Sequence, residues 1–158
     1  MKPIVECPLG TSCSEEERAK NQRTEISIAD VSKMPTKPDH IIEYDFVEWT
    51  LPKGADTAVF GLIRYLKENP SFKVELSGYT DTYEPYKDNI RIASLRAINI
   101  ENILKANGIE KNRIVSKWYG ERVPFNGCLT EYPCPIPERK QNRRVEIRLI
   151  DVNKMKSN

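Results

Sequence analysis

The chain has 158 residues, 39% of them hydrophobic and 30% charged, with a formal net charge of +2 at pH 7. That length fits one domain with room for an appendage. Acidic and basic residues are interspersed, which argues against nucleic-acid binding, and no apolar stretch approaches the length of a membrane-spanning helix. No secretion signal opens the chain; Met1-Lys2-Pro3 runs straight into polar sequence, as in a cytosolic protein or in a piece of a longer exported one.

The first feature in chain order is a pair of cysteines, Cys7 and Cys13, with the same spacing as Cys128 and Cys134 near the other end. Matched local pairs around turn-rich stretches suggest two short disulfide loops, which persist in an oxidising compartment. A four-cysteine zinc site competes with this reading, although metal knuckles space their ligands more closely. Reduced thiols are the third alternative.

The two pairs belong to an internal repeat. Shifted by 121 positions, Pro3 falls on Pro124, Cys7 on Cys128, Cys13 on Cys134 and Glu17-Arg18 on Glu138-Arg139. Arg23, Glu25 and Ile26 fall on Arg144, Glu146 and Ile147, and Asp30-Val31 on Asp151-Val152. A loop plus one strand cannot bury a core alone. Residues 1–34 therefore read as the tail of a preceding repeat, 35–40 as a linker, 41–152 as a complete second copy and 153–158 as a C-terminal tail. The orphan strand at 22–31 is expected to add to a sheet edge in its own chain or in a second copy, giving strand exchange or a dimer.

Within the complete copy, His40 to Phe46 reads as a strand rich in β-branched and aromatic residues. Thr50 followed by Pro52 reads as a helix start, and Val59, Leu62, Ile63 and Leu66 recur at helical spacing as far as Asn69-Pro70. Phe72, Val74 and Leu76 alternate as a half-buried strand. After Pro85 a long amphipathic helix carries Ile92, Leu95, Ile98, Ile103 and Leu104, and Asn107-Gly108 stops it. Arg113 to Tyr119 is the next strand, 121–141 a long loop, and Val145 to Ile150 the last strand. This order predicts an α+β fold, a two-layer β-α-β-α-β-β sandwich with an extra N-terminal strand.

Chemistry concentrates at the corner between the middle strand and the long helix, Gly78-Tyr79-Thr80-Asp81 with Asn89 and Arg96-Ala97 downstream. Asp81 is expected just past the strand and Arg96 within the helix. An acid and a guanidinium facing one cleft can hold the two ends of a zwitterion, the carboxylate accepting from an ammonium and the arginine fork gripping a carboxylate. The plainer alternative is that the two pair with each other. His40 is the single histidine of the chain, which excludes His-His metal motifs and disfavours a Ser-His-Asp triad. No metal set or activated nucleophile supports an enzymatic reading. Trp49 and Trp118 read first as packing, with Trp49 the better candidate for a sugar contact. Arg143 and Arg144 near Glu146 read as a salt network on a strand face.

Residues 41–150 resemble the OmpA-like peptidoglycan-binding domain found in outer-membrane porin-like proteins, peptidoglycan-associated lipoproteins and flagellar stator proteins. The resemblance rests on Gly78 to Asp81, Asn89 with Ile92 and Arg96-Ala97, Gly108-Ile109 with Arg113-Ile114, Gly120-Glu121 with Pro124, and Asn142 to Ile147. It implies the same sandwich, no enzymatic activity and no cofactor or metal. The implied partner is peptidoglycan, held through the meso-diaminopimelate of its stem peptide, on the periplasmic face of the outer membrane of a Gram-negative bacterium. By position, Asp81 would accept from the ligand's ammonium and Arg96 would hold its carboxylate. Ile92 would form an apolar wall, and Val47 and Glu48 would border the site. Thr80, Asn89, Trp49 and Arg144 are secondary candidates. The sequence departs from the family at Tyr79, at Ile92-Ala93 and in the loop 82–88, where Tyr83, Pro85 and Tyr86 stand in place of a glycine. The alternative is a structural interaction module that keeps the fold and has lost the ligand.

Overall fold

A computed structural model of the protein describes residues 38–126 and 134–155, all within one compact unit, Lys37–Asn158. The proposed repeat tail 1–34, the orphan strand 22–31 and three of the cysteines (Cys7, Cys13 and Cys128) lie outside the described residues.

Four strands form one sheet: β1 (His40–Glu43), β2 (Phe72–Tyr79), β3 (Ile114–Gly120) and β4 (Arg144–Asp151). Their order is β1-β4-β2-β3. The last strand is inserted between the first two and runs antiparallel to both, while β2 and β3 pair in parallel. A parallel pair needs a crossover. That crossover is the long helix α2 (Tyr86–Ala106), as helix α1 (Asp56–Glu68) is for β1 and β2. The expected β-α-β-α-β-β order is therefore present in the strands and the two long helices, with both of these helices on one face of a mixed sheet.

The core lies between that face and the helices. Val74 and Leu76 of β2, Val145 and Ile147 of β4 and Ile42 of β1 meet Val59, Leu62, Ile63 and Leu66 of α1 and Ala97, Ile100 and Leu104 of α2. Even-numbered residues of β2 point into this core, as the period-two pattern requires. Helix α2 lies very close to the sheet: a Cβ added to Gly78 would sit 2.1 Å from the carbonyl oxygen of Ala93. The buried stripe of α2 is consequently built from Asn89, Ala93, Ala97 and Ile100 beside Ile92 and Arg96. Ile98, expected on the apolar face, is exposed, and Leu95 is only half-buried.

Helix boundaries follow local chemistry. Helix α1 begins at Asp56 and not at Thr50, because the chain first makes a turn in which the Ala55 N–H donates to the Pro52 carbonyl at 3.0 Å and Gly54 takes φ +89°. At the other end of α2, Gly108 takes φ +86°, and Ile109 N donates to the Leu104 carbonyl at 3.0 Å, the αL stop expected there. Arg113, expected to open β3, instead lies in a single 3-10 turn (Lys111–Arg113). Its guanidinium donates to the carbonyls of Leu66, Asn69 and Phe72, tying the α1–β2 corner to the start of β3.

The stretch 121–141, read as loop, contains a further helix, α3 (Ile136–Asn142). Pro135 caps it and Pro137 occupies its first turn, where a missing N–H costs no helical bond. A last single turn, α4 (Val152–Met155), follows β4.

Candidate functional site

The corner after β2 is fixed before any charge is considered. Thr80 N donates to the Gly120 carbonyl at 2.9 Å, tying the end of β2 to the end of β3. Asn89, in the first turns of α2, reaches back to the Glu84 carbonyl at 2.7 Å and forward to the Glu121 carboxylate. The loop 81–85 is thus held at both ends, and Asn89 orients it. Tyr79 braces the open face of the sheet, stacked on Tyr119 with the Arg144 guanidinium over its ring at 3.9 Å. Burial pushes its phenol up, and the Glu146 carboxylate adds to that.

Asp81 is 4% exposed and pairs with Arg143, whose Nη1 donates to Asp81 Oδ2 at 2.8 Å. Among the described residues its other oxygen, Oδ1, accepts no hydrogen bond. Arg143 sits where α3 meets β4. It is knitted to the end of β1 by Nε to the Tyr44 carbonyl (3.2 Å) and by its own carbonyl to Tyr44 N (2.7 Å). Beside Asp81, the Thr80 hydroxyl is buried with no partner among the described residues.

Arg96 is 1% exposed and points elsewhere. It donates from Nε to the Glu48 carbonyl (2.7 Å), from Nη1 to the Tyr79 carbonyl (2.9 Å) and from Nη2 to the Asp45 carbonyl (3.3 Å). Its guanidinium lies 4.9 Å from the centre of the Tyr44 ring. Burial lowers its pKa to about 10, against the favourable fields of Tyr44, Asp81 and Glu48. It remains a cation at neutral pH, and its three carbonyl partners fasten the loop after β1 to the corner after β2. In that loop Val47 adopts φ 58°. This is a left-handed conformation that a β-branched residue adopts only under constraint.

The cleft at this end of the molecule measures about 260 Å³ and is lined by Phe46, Asp81, Tyr83, Ile136, Arg139 and Arg143. Phe46 and Tyr83 meet edge to face with ring centres 4.8 Å apart. Of the residues named from sequence, Asp81 lines the cleft. Arg96 lies behind it, with the Glu48 carbonyl on its Nε. Ile92 is buried at 4% exposure, one turn before Arg96, and Trp49 is exposed at the outside of the same loop. Arg144 is on the open face, donating to Glu146 at 2.7 Å. The cation that meets Asp81 is Arg143, which the sequence reading placed in a strand-face network. Arg139, Tyr83, Phe46 and Ile136 were not singled out as ligand contacts. The Pro-x-Pro-Glu-Arg start of α3 was the available signal, since a helix there delivers 139 and 143 to one side at helical spacing. No group of three metal-ligating side chains occurs among the described residues.

Comparison with known proteins bears on the same stretch. Residues 44–132 match the model of the OmpA family. The chain is 33% identical over 109 residues to the probable lipoprotein YiaD of Escherichia coli (strain K12), covering 68% of this chain and 47% of that protein. It is 28% identical over 115 residues to the peptidoglycan-associated lipoprotein of Legionella pneumophila, covering 73% of this chain and 61% of that one. The chain thus spans less than two thirds of either relative. The crystal structure of the peptidoglycan-associated lipoprotein from Burkholderia pseudomallei superposes with a TM-score of 0.63 at 19% identity, covering 77% of this chain and all of that one, and it shares the fold. With a family match across more than half of its length and the sheet order, corner and buried charges described above, the chain belongs to the OmpA family.

Proposed function

We propose that this domain binds peptidoglycan without catalysis, taking the diaminopimelate of the stem peptide and so anchoring its parent protein to the cell wall. The observation that carries the reading is Asp81, a carboxylate at the floor of a cleft with one oxygen held by Arg143 and the other open. A ligand ammonium approaching Oδ1 would meet a charge already oriented, which lowers the cost of ordering it. The unpartnered Thr80 hydroxyl lies next to Asp81 in the chain but is buried and does not line the cleft. Arg96 acts from behind: it holds the carbonyl-bearing loop 45–48 in place and lends positive charge to the floor. Val47 and Glu48 belong to that loop, and Ile92 is buried one helical turn before Arg96. A relative named as a peptidoglycan-associated lipoprotein supports peptidoglycan as the partner.

The same reading takes the protein to the periplasmic side of an outer membrane, where the cysteine pairs would close as Cys7–Cys13 and Cys128–Cys134. Cys134 is disulfide-bonded, which is in keeping with an oxidising compartment. The strand at 22–31, as the end of a preceding repeat, would pair with a sheet edge in this chain or in a second copy.

One observation favours the alternative of a structural interaction module. Asp81 is already neutralised by Arg143, and Arg96 is committed to three carbonyls. Sedimentation with isolated peptidoglycan decides between the two. The binding reading expects the protein in the pellet, release by free diaminopimelate and loss of sedimentation in Asp81→Asn. A folded protein that stays in the supernatant would leave only the scaffold.

A further inference from the structure

The cleft holds two cations and one anion. Asp81 and Arg143 neutralise each other, which leaves Arg139. Its Nε donates to the Cys134 carbonyl at 2.8 Å, and its guanidinium lies over the Tyr83 ring, 5.6 Å from the centre. Those two contacts fix the position and tilt of the group. Among the described residues no carboxylate pairs with Arg139, and its Nη1 and Nη2 donate to nothing. An oriented, uncommitted guanidinium fork at the wall of a cleft is the geometry that receives a carboxylate through two parallel hydrogen bonds.

The remaining walls say what kind of carboxylate. Phe46, Tyr83 and Ile136 give the cleft an apolar rim, with Ile136 77% exposed and Tyr83 63% exposed. Apolar surface of that size beside charged groups suits a small ligand with charged ends and an aliphatic middle. A volume near 260 Å³ accommodates one or two amino-acid residues, not a folded segment. Resting on the binding function proposed above, we infer that Arg139 receives a free carboxylate of the bound stem peptide. The cleft therefore selects stems whose carboxylate is neither amidated nor used in a cross-link. The ammonium goes to Asp81 and the carboxylate to Arg139, with the aliphatic chain between them along Phe46 and Tyr83.

Two carboxylates of a stem ending in diaminopimelate have this chemistry: the one on the main chain and the one at the side-chain centre. Calorimetric titration of the folded protein with four synthetic tripeptide stems separates them: both carboxylates free, main-chain carboxylate amidated, side-centre carboxylate amidated, and both amidated. One of the two single amidations is expected to weaken binding roughly tenfold or more, the loss of a charge-assisted contact. Arg139→Gln is expected to weaken the free-acid stem to the same extent and to bind that amidated stem as the unaltered protein does. Arg139→Lys, which keeps the charge and loses the fork, should fall between. If all four stems bind the unaltered protein alike, or if Arg139→Gln leaves the free-acid affinity unchanged while Asp81→Asn abolishes it, the inference is overturned and the binding function stands. If the unaltered protein binds none of the four, both fall together.

Discussion

Arg96 and Arg143 are both buried arginines near Asp81, and they are stabilised in opposite ways. Arg143 has a carboxylate partner and lines a cleft. Among the described residues Arg96 has none in contact, and it satisfies Nε, Nη1 and Nη2 on backbone carbonyls. A carbonyl-bound guanidinium keeps its charge at a desolvation cost, which is why its pKa falls to about 10. An acid-paired one is neutralised locally, and disturbing the acid disturbs the pair. The comparison separates a residue that builds the frame of the corner from one that shares the charge lining the cleft.

The largest expected effect is on the frame. Arg96→Leu leaves three carbonyls without donors and frees the loop after β1, so it should destabilise by about 4 kcal/mol or more and lower the chemical-denaturation midpoint accordingly. Asp81→Asn strands the Arg143 cation in the interior. It should cost about 3 kcal/mol, and it should abolish wall binding even at temperatures where the variant is folded. If Arg96→Leu turned out the milder of the two, the division of labour would be reversed.

Gly78→Ala tests the close approach of α2 independently of charge. The added methyl meets a backbone carbonyl that cannot move aside, and a loss of about 2–3 kcal/mol in thermal or denaturant unfolding is expected.

The smallest effect contrasts a distant buried acid with Asp81. At the far part of α2, burial pushes the Glu101 carboxyl up, but hydrogen bonds from Lys111, Ser116 and Lys105 outweigh it and hold the pKa down to about 2. A depressed carboxylate stabilises the fold above its unfolded pKa, and that contribution disappears as the pH falls toward 2. Glu101→Gln should therefore cost about 1–2 kcal/mol at pH 7, with both lysines partly exposed, and progressively less as the pH falls through about 2. Denaturation midpoints of the two proteins against pH should converge on the acid side.

These contrasts also mark what the sequence could reveal. The alternation Phe72, Val74, Leu76 and the αL stop at Gly108 are local signals, and each element appears where they put it. Ile98 was misassigned because hydrophobicity alone favoured it over Ala93 and Ala97. The inward face of α2 is set by how closely the helix lies on Gly78, and there small residues are the ones that fit. Helix α3 was hidden by prolines that read as loop but serve as a helix start. The partner of Asp81 was hidden for a different reason. Arg96 is 15 positions away along a recognisable motif, whereas Arg143 is 62 away, and only the insertion of β4 between β1 and β2 brings it there.

Val47 has a kinetic consequence. A β-branched residue held at positive φ, with the carbonyls on either side of it clamped by one guanidinium, leaves the rim of the cleft little freedom to lose when a ligand arrives. Capture and release by such a rim would run at the pace of diffusion and bond breakage, without waiting for a loop to fold, and a tether built on it could let go and re-engage as the wall beneath it is remodelled.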